Sequence, residues 1–399
     1  MAAGRPIFDL SFYLRFQPSA VRQGDITAVP LNYFPPLARG RRRVALLTPH
    51  LGPGGAETVL LDIAAALPRD RYELLVIATH SRHRGWVARW RAHVEHVFDL
   101  SAVAPDRAPS AAANVIVNWR CDAVLLQNTL VGYQALQYIR LLRPQTRLLD
   151  ITHAVDDHWD QLRATAQVAE HLDLRLAVSQ SVEQQLVVSG TPPARIRLAP
   201  NGVNVERFRP GPGAIEGSVH RILFAGRLDP VKRPLLLVDI AARLVSLRKA
   251  RDFRFVVAGE GPEAARLKKR ISVERLEQLF ELKGHVEDME PLIRSSELCV
   301  LPSRAEGVPI IVLECLACAC PVVASDVGSI KDVLGTGAGI LIRRGEDELE
   351  QFAAAIHELL DSPSLRTRMG TAGRRSVETR YELRQAQRTY LKVFDDLLV

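Results

Sequence analysis

The chain has 399 residues, 47% of them hydrophobic and 24% charged, with a formal net charge of +7 at neutral pH. This balance excludes a mainly disordered protein, and the length exceeds one ordinary core, so two domains of roughly 150–200 residues each are expected. The positive charge is carried mostly by Arg, since the first Lys is Lys232. Guanidinium groups suit phosphate and anionic membrane surfaces, because the planar fork binds phosphate oxygens in pairs. An Arg excess also follows from genome composition alone.

No run of about 18 apolar residues occurs, so no transmembrane helix is expected. The stretch MAAGRPIFDLSFYLRF has neither a long apolar run nor a small-residue cleavage site, which speaks against a secretory signal. Four of the five cysteines lie between Cys299 and Cys320. Cys315-x-x-Cys318-x-Cys320 lacks a second ligand pair at zinc spacing and sits in an apolar passage, so buried reduced thiols and a cytoplasmic setting are expected.

In chain order, residues 1–40 read as an extension rich in Pro, aromatics and Arg. Short apolar runs then alternate with helix-sized segments: 44–49, 74–80, 96–100, 123–128, 147–153 and 174–179. This alternation predicts a parallel sheet of right-handed βαβ units over 41–200. A Pro- and Gly-rich break follows, from Pro200-Asn201-Gly202 to Pro210-Gly211-Pro212-Gly213. The alternation restarts at 221–228, 253–261, 280–286, 297–303, 321–328 and 339–345, giving a second domain over 201–380. Tyr390, Leu391, Val393, Phe394 and Leu397 mark one side of a helix over 381–399 that packs back toward the first domain. The expected fold is therefore α/β, with two doubly wound Rossmann-like domains facing each other across a cleft. Ligands of such sheets lie beyond the carboxyl ends of the strands, so the loops leaving them hold the chemistry.

Three loops stand out. His50-Leu51-Gly52-Pro53-Gly54-Gly55-Ala56-Glu57 joins a strand to a helix, and its glycines either admit a phosphate or sugar oxygen to the helix N-terminus or simply make a tight turn. No Walker loop or GxGxxG fingerprint is present. Gly226-Arg227-Leu228-Asp229-Pro230-Val231-Lys232 brings two cations together, a pair able to hold a diphosphate and the charge that grows on it. In Glu306-Gly307-Val308-Pro309-Ile310-Ile311-Val312-Leu313-Glu314, Gly307 frees the backbone and Pro309 suits a first helical turn. The amides of Ile310 and Ile311 are then free to meet a ligand, and the two carboxylates suit sugar and ribose hydroxyls. Glu314, set among apolar neighbours, needs a partner to offset desolvation.

The E-x7-E spacing, with Gly226-Arg227-Leu228 and Lys232 upstream and Pro321-Val322-Val323-Ala324-Ser325-Asp326-Val327-Gly328-Ser329 downstream, resembles the retaining glycosyltransferases of family 4, which have the GT-B fold. The likeness spans roughly residues 43–399. It implies that Arg227 and Lys232 hold the diphosphate of a UDP- or GDP-type sugar, with Glu306 at the sugar hydroxyls and Glu314 on the ribose. Gly54 and Gly55 then face the phosphates, Gly226, Gly307, Val308, Ile310 and Ile311 complete the donor site, and His153 stands beside the donor sugar. Gly259-Glu260-Gly261-Pro262 and Gly284-His285-Val286 fall at the base pocket. The chain departs from the family's Gly at Arg233, Ala319 and Ser329, which leaves donor identity open.

The resemblance further implies same-face transfer with no cofactor and no divalent metal, and no strand-end DxD is present to hold one. Asp156-Asp157 is an acceptor-side candidate. The acceptor is a glycan or lipid-linked hydroxyl, as in cell-surface polysaccharide or glycolipid synthesis, and no nucleic acid partner is expected. Arg82, Arg84, Trp86, Arg89, Trp90 and Arg91 either rest peripherally on an anionic membrane or form an ordinary solvated helix. The rival readings are a sugar-nucleotide epimerase of the same fold, a hydride-transferring dehydrogenase, which would need the dinucleotide fingerprint that is absent, and a catalytically silent glycan- or partner-binding module. Retention of Arg227, Lys232, Glu306 and Glu314 argues against silence.

Overall fold

The computed structural model describes residues 40–80, 85–153, 169–211, 219–335 and 337–398. The extension, Arg82, Arg84 and Asp156-Asp157 lie outside the described residues, Gly40 excepted. The first sheet contains β1 (Arg42–Thr48), β2 (Tyr72–Ala78), β3 (His96–Asp99), β4 (Ala123–Leu126), β5 (Arg147–Thr152), β6 (Leu174–Ala177) and β7 (Ile196–Leu198). Its helices are α1 (Gly55–Ala66), α2 (Val87–His93), α3 (Ala108–Asn118), α4 (Leu130–Leu142) and α5 (Gln180–Val188). The second sheet contains β8 (His220–Ala225), β9 (Phe253–Ala258), β10 (Phe280–Gly284), β11 (Leu298–Leu301), β12 (Val322–Ser325) and β13 (Gly339–Ile342). Around it lie α6 (Leu236–Arg248), α7 (Ala264–Val273), α8 (Glu290–Arg294), α9 (Ile310–Ala317), α10 (Ile330–Leu334), α11 (Glu348–Asp361) and α12 (Pro363–Arg380). Helix α13 (Leu383–Leu397) follows.

The strand orders are β3-β2-β1-β4-β5-β6-β7 and β10-β9-β8-β11-β12-β13, with every pairing parallel. These are two doubly wound sheets, and the winding direction reverses between β1 and β4 and between β8 and β11. Helices on both faces explain why the strands read as continuous apolar runs: all seven residues of β2 are buried. The strands stop earlier than the apolar runs suggest. Beyond Ala225 and Ala258 the chain enters Gly226 at φ +154° and Gly259 at φ +150°, outside extended geometry, so the residues that follow belong to loops. Strand β7 is too short for periodicity to reveal.

Part of the Arg excess is structural. Arg43 bonds Glu73 at 3.0 Å and Arg175 bonds Asp150 at 2.8 Å, both pairs almost fully buried. Removing one member of such a pair strands a buried charge and costs about 3–5 kcal/mol.

The two domains are joined twice. The first crossing runs through Asn201–Phe208. The second brings the chain back to the first domain, where α13 packs on α1 and Phe394 meets the Tyr72 ring edge-on. At the crossing the two segments lie side by side: Val203 N–H donates to Tyr381 O at 2.8 Å, and Leu383 N–H donates to Val203 O at 3.0 Å. A Cβ on Gly202 would stand 2.7 Å from Leu383 Cα, so a glycine is required for this approach. Tyr390, Val393 and Phe394 are buried on the inward face of α13.

Candidate active site

The loops singled out in the sequence leave β1, β8 and β11, the strands that border the two reversals, and doubly wound sheets bind ligands beyond the carboxyl ends at such reversals. After β8 the backbone turns sharply. Buried Asp229 accepts the Val231 and Lys232 N–H groups at 3.0 and 2.9 Å through Oδ1, an Asx turn of the kind Asp-Pro initiates. Its Oδ2 accepts from Arg227 Nε at 2.6 Å, while the Arg227 side chain stays 62% exposed. One carboxylate thus sets the loop and aims both cations.

Lys232 Nζ donates to Glu306 at 2.5 and 2.7 Å, and Ser303 Oγ donates to the same carboxylate at 2.6 Å. Glu306 and Ser303 are buried. The loop after β12 presses on this corner: a Cβ on Gly328, at φ +55°, would lie 1.8 Å from the Glu306 carbonyl oxygen. Helix α9 begins at Ile310 behind Pro309 with no side-chain cap, so its first N–H groups have no intrahelical partner. Asn201 Nδ2, from the linker, donates to Val308 O at 2.9 Å and fixes the entry to the helix beyond Gly307.

The Glu314 side chain has no hydrogen bond or ion pair among the described residues, so the direct partner expected from its apolar surroundings is not provided. Burial instead pushes its carboxyl up to about 7; Arg207 opposes this, and Asp62 and Asp288 add to it. A proton stands in for the missing partner. Asp62, on α1 of the other domain, is likewise raised to about 7 by burial, with Arg89 opposing.

Across the crevice, Gly55 approaches the second domain closely enough for a Cβ to contact Ile310 Cγ1 at 3.7 Å. Gly54 is the N-cap of α1, and a Cβ there would lie 2.0 Å from Glu57 Oε2. The anion position offered by this helix N-terminus is therefore filled by the chain's own carboxylate. Burial raises the Glu57 carboxyl, while its own N–H, the Thr48 hydroxyl and the Arg227 charge act the other way. Burial lowers His153, just beyond β5, to about 4, so the ring is neutral at pH 7. Its Nε2 lies 3.0 Å from Gln127 Oε1.

The loops assigned to the base pocket also meet: Gly259 N–H donates to Gly284 O at 2.7 Å, and His285 N–H to Glu260 Oε1 at 3.4 Å. The Trp/Arg segment forms α2, but Trp90 points into the core at 0% exposure. Arg89 stacks on Trp86 with its guanidinium carbon 4.1 Å from the ring. The cysteines are all buried, and among the described residues no three His, Cys, Asp or Glu side chains group as metal ligands would.

Each departure from Gly has a structural account. Arg233 (φ +53°) and Ala319 (φ +58°) both adopt the left-handed conformation that glycine takes without strain. Arg233 is held there by two bonds to Glu348 at 2.7 and 2.8 Å. Ser329 bonds Ser179 of the first domain at 2.5 Å. Asp229, Ser303, Glu57, Thr48 and Gln127 were not singled out in the sequence as site residues. Only Asp229 carries a local signal, the Asp-Pro pair.

Residues 53–207 match the family model described as Glycosyltransferase Family 4, and residues 219–362 the one described as Glycosyl transferases group 1. The chain belongs to this glycosyltransferase family. Its relatives include a D-inositol 3-phosphate glycosyltransferase of Kineococcus radiotolerans, 30% identical over 237 residues, a match covering 53% of this chain and 54% of that protein. The alpha-D-kanosaminyltransferase of Streptomyces kanamyceticus is 33% identical over 168 residues, covering 41% of this chain and 42% of the relative. These matches span about half the length of the curated relatives. Among solved structures, Anabaena HepE in complex with UDP and glucose superposes with a TM-score of 0.77 at 19% identity, covering 89% of this chain and 100% of that one. A glycosyltransferase from Rickettsia africae gives 0.71 at 17% identity, with 90% and 99% covered. The fold is GT-B.

Proposed function

We propose that this chain is a retaining, metal-independent glycosyltransferase that moves a sugar from a nucleotide diphosphate to a hydroxyl of a glycan or lipid-linked acceptor. The observation that carries this reading is the Lys232–Glu306 contact, which unites the loops leaving β8 and β11 opposite Gly55. Lys232 and Arg227 take the diphosphate, and the unpaired amides at the start of α9 add hydrogen bonds to it. Glu314 accepts from the ribose hydroxyls and Glu306 from the sugar. His153, neutral, acts beside the sugar as a hydrogen-bonding group and not as a cation.

In the transfer step the bond between the anomeric carbon and the diphosphate oxygen breaks. The acceptor oxygen bonds that carbon on the same face, and the acceptor's proton passes to the departing diphosphate. The two cations offset the charge that grows there, with no cofactor required. A UDP-type donor is favoured by the UDP bound in HepE, and a hydroxyl-rich acceptor by the inositol phosphate named for the Kineococcus relative. Exposed Arg89 and Arg91 on α2 suit the anionic inner face of a membrane carrying a lipid-linked acceptor. No described helix is long and apolar enough to cross the membrane itself.

The test is a screen of UDP-, GDP- and ADP-sugars for nucleotide release, with Lys232→Ala and Glu306→Ala beside the unaltered protein. Release with one donor, lost in both variants, is expected. No release and no thermal shift with any donor overturns the reading.

A further inference from the structure

Three neighbouring strands of the first sheet end in side chains that reach one another. Thr48 closes β1, Gln127 follows β4 and His153 follows β5, and these strands are adjacent in the order β1-β4-β5. Parallel strands run about 4.8 Å apart, a spacing that one side-chain hydrogen bond between successive strand ends can bridge. Both bonds are present: Gln127 Nε2 to Thr48 Oγ1 at 3.3 Å, and Gln127 Oε1 to His153 Nε2 at 3.0 Å. Thr48 and Gln127 are fully buried. Beyond Thr48 the chain continues to Glu57, whose carboxylate is hydrogen-bonded to the Thr48 side chain.

We propose that Glu57, Thr48 and Gln127 act as positioning residues that fix His153 as its Nε2–H tautomer, leaving Nδ1 as the ring's acceptor. The direction of the chain is set by the Gln127 amide, whose Nε2 faces Thr48 and whose Oε1 faces His153. Burial raises the Glu57 carboxyl, with its own N–H, the Thr48 hydroxyl and the Arg227 charge acting the other way, and in its ionised form this group only accepts hydrogen bonds. The Thr48 oxygen accepts from Gln127, which leaves its hydroxyl proton for the Glu57 carboxylate. Facing the Gln127 carbonyl oxygen, the His153 ring nitrogen has to carry the proton. The same carboxylate lies within the field of Arg227, so the ring in one domain is tied to a diphosphate-binding cation of the other.

The role of His153 at the donor sugar rests on the proposed function; the tautomer does not, and it is read without substrate. Ring-labelled full-length protein is examined by long-range proton–nitrogen NMR, with His153→Gln identifying the His153 signals among the 11 histidines. A single Nε2–H tautomer is expected at neutral pH. Gln127→Met, of similar volume, removes both bonds and is expected to give mixed tautomers. Its kcat for the donor found in the screen should fall about tenfold with the donor KM within twofold, the pattern of a lost orienting interaction. Thr48→Val supplies the same reading should Gln127→Met not fold, and Glu57→Gln, able to donate as well as accept, should also loosen the ring. An Nδ1–H ring in the unaltered protein, or an unchanged single tautomer in both Gln127→Met and Thr48→Val, overturns the proposal. A mixed tautomer with unchanged kcat overturns its bearing on the reaction. A locked ring in a protein that turns over no nucleotide sugar supports the chain while defeating the proposed reaction.

Discussion

Lys232 Nζ lies 2.5 and 2.7 Å from the two carboxylate oxygens of Glu306, 74 residues away in the sequence. The lysine ends the turn after β8, and the glutamate lies between β11 and α9. The contact does two separable things: it completes a buried carboxylate's hydrogen bonds and it holds an ammonium where the diphosphate is proposed to lie. Lys232→Met leaves Glu306 with Ser303 as its side-chain donor. Stability should fall by about 1–3 kcal/mol, and nucleotide release by about 100-fold or more. The double variant Lys232→Met/Glu306→Gln should recover much of the stability in thermal melts while remaining inactive. Recovery of activity would contradict the assignment.

Glu314 predicts a pH dependence. With its carboxyl near 7 in the free protein, a ribose that donates hydrogen bonds to it favours the anion and lowers that value. Binding then releases a proton, so UDP affinity rises from pH 6 to pH 8 by up to about tenfold. Calorimetry in buffers of different ionisation enthalpy detects the released proton, and Glu314→Gln should flatten the profile. For the free protein the sign is opposite. The folded state binds the proton more tightly than the unfolded state between the ordinary carboxyl value and about 7, so Glu314 costs stability as pH rises through that window.

At Ala319 the backbone is left-handed, with φ +58°. An L-residue there costs roughly 1–2 kcal/mol, partly offset by the greater chain entropy that glycine loses on folding. Ala319→Gly should therefore stabilise by about 0.5–1 kcal/mol. A raised melting temperature with unchanged donor KM is the expected result.

At Arg233 the same substitution should have the opposite sign. Its φ of +53° carries similar strain, but Arg233→Gly would leave buried Glu348 with only the Ser325 hydroxyl, 3.3 Å away. Losing a two-pronged charged bond to a buried acceptor costs about 1.5–3 kcal/mol, more than the strain released. Thermal melts of Arg233→Gly should show a lower transition than the unaltered chain.

These opposite signs show what is legible in the sequence. The strand alternation and the three loops can be read from periodicity and from Gly and Pro, since both are local properties. At Arg233 and Ala319 the sequence shows only a missing glycine. The left-handed backbone and the glutamate 115 residues away that holds Arg233 in it require the fold. Glu314 is recognisable by spacing, yet its raised carboxyl depends first on burial, and then on Arg207, Asp62 and Asp288, which the fold brings near it. Thr48, Gln127 and His153 look like three unrelated polar residues until the β1-β4-β5 order makes them neighbours. Trp90 fails in the other direction: a basic, aromatic segment suggests a surface, while the ring itself fills the core.

The paired crossing at Val203 and Tyr381–Leu383 determines how the crevice can open. A single tether would let one domain swivel and twist freely against the other. Two segments hydrogen-bonded side by side act as a door hinge with two knuckles: twisting breaks their bonds, while bending about the line through them does not. Any rotation of the domains that keeps these bonds is confined to bending about that line, and the contacts it would part are Gly55 with Ile310 and Ser179 with Ser329.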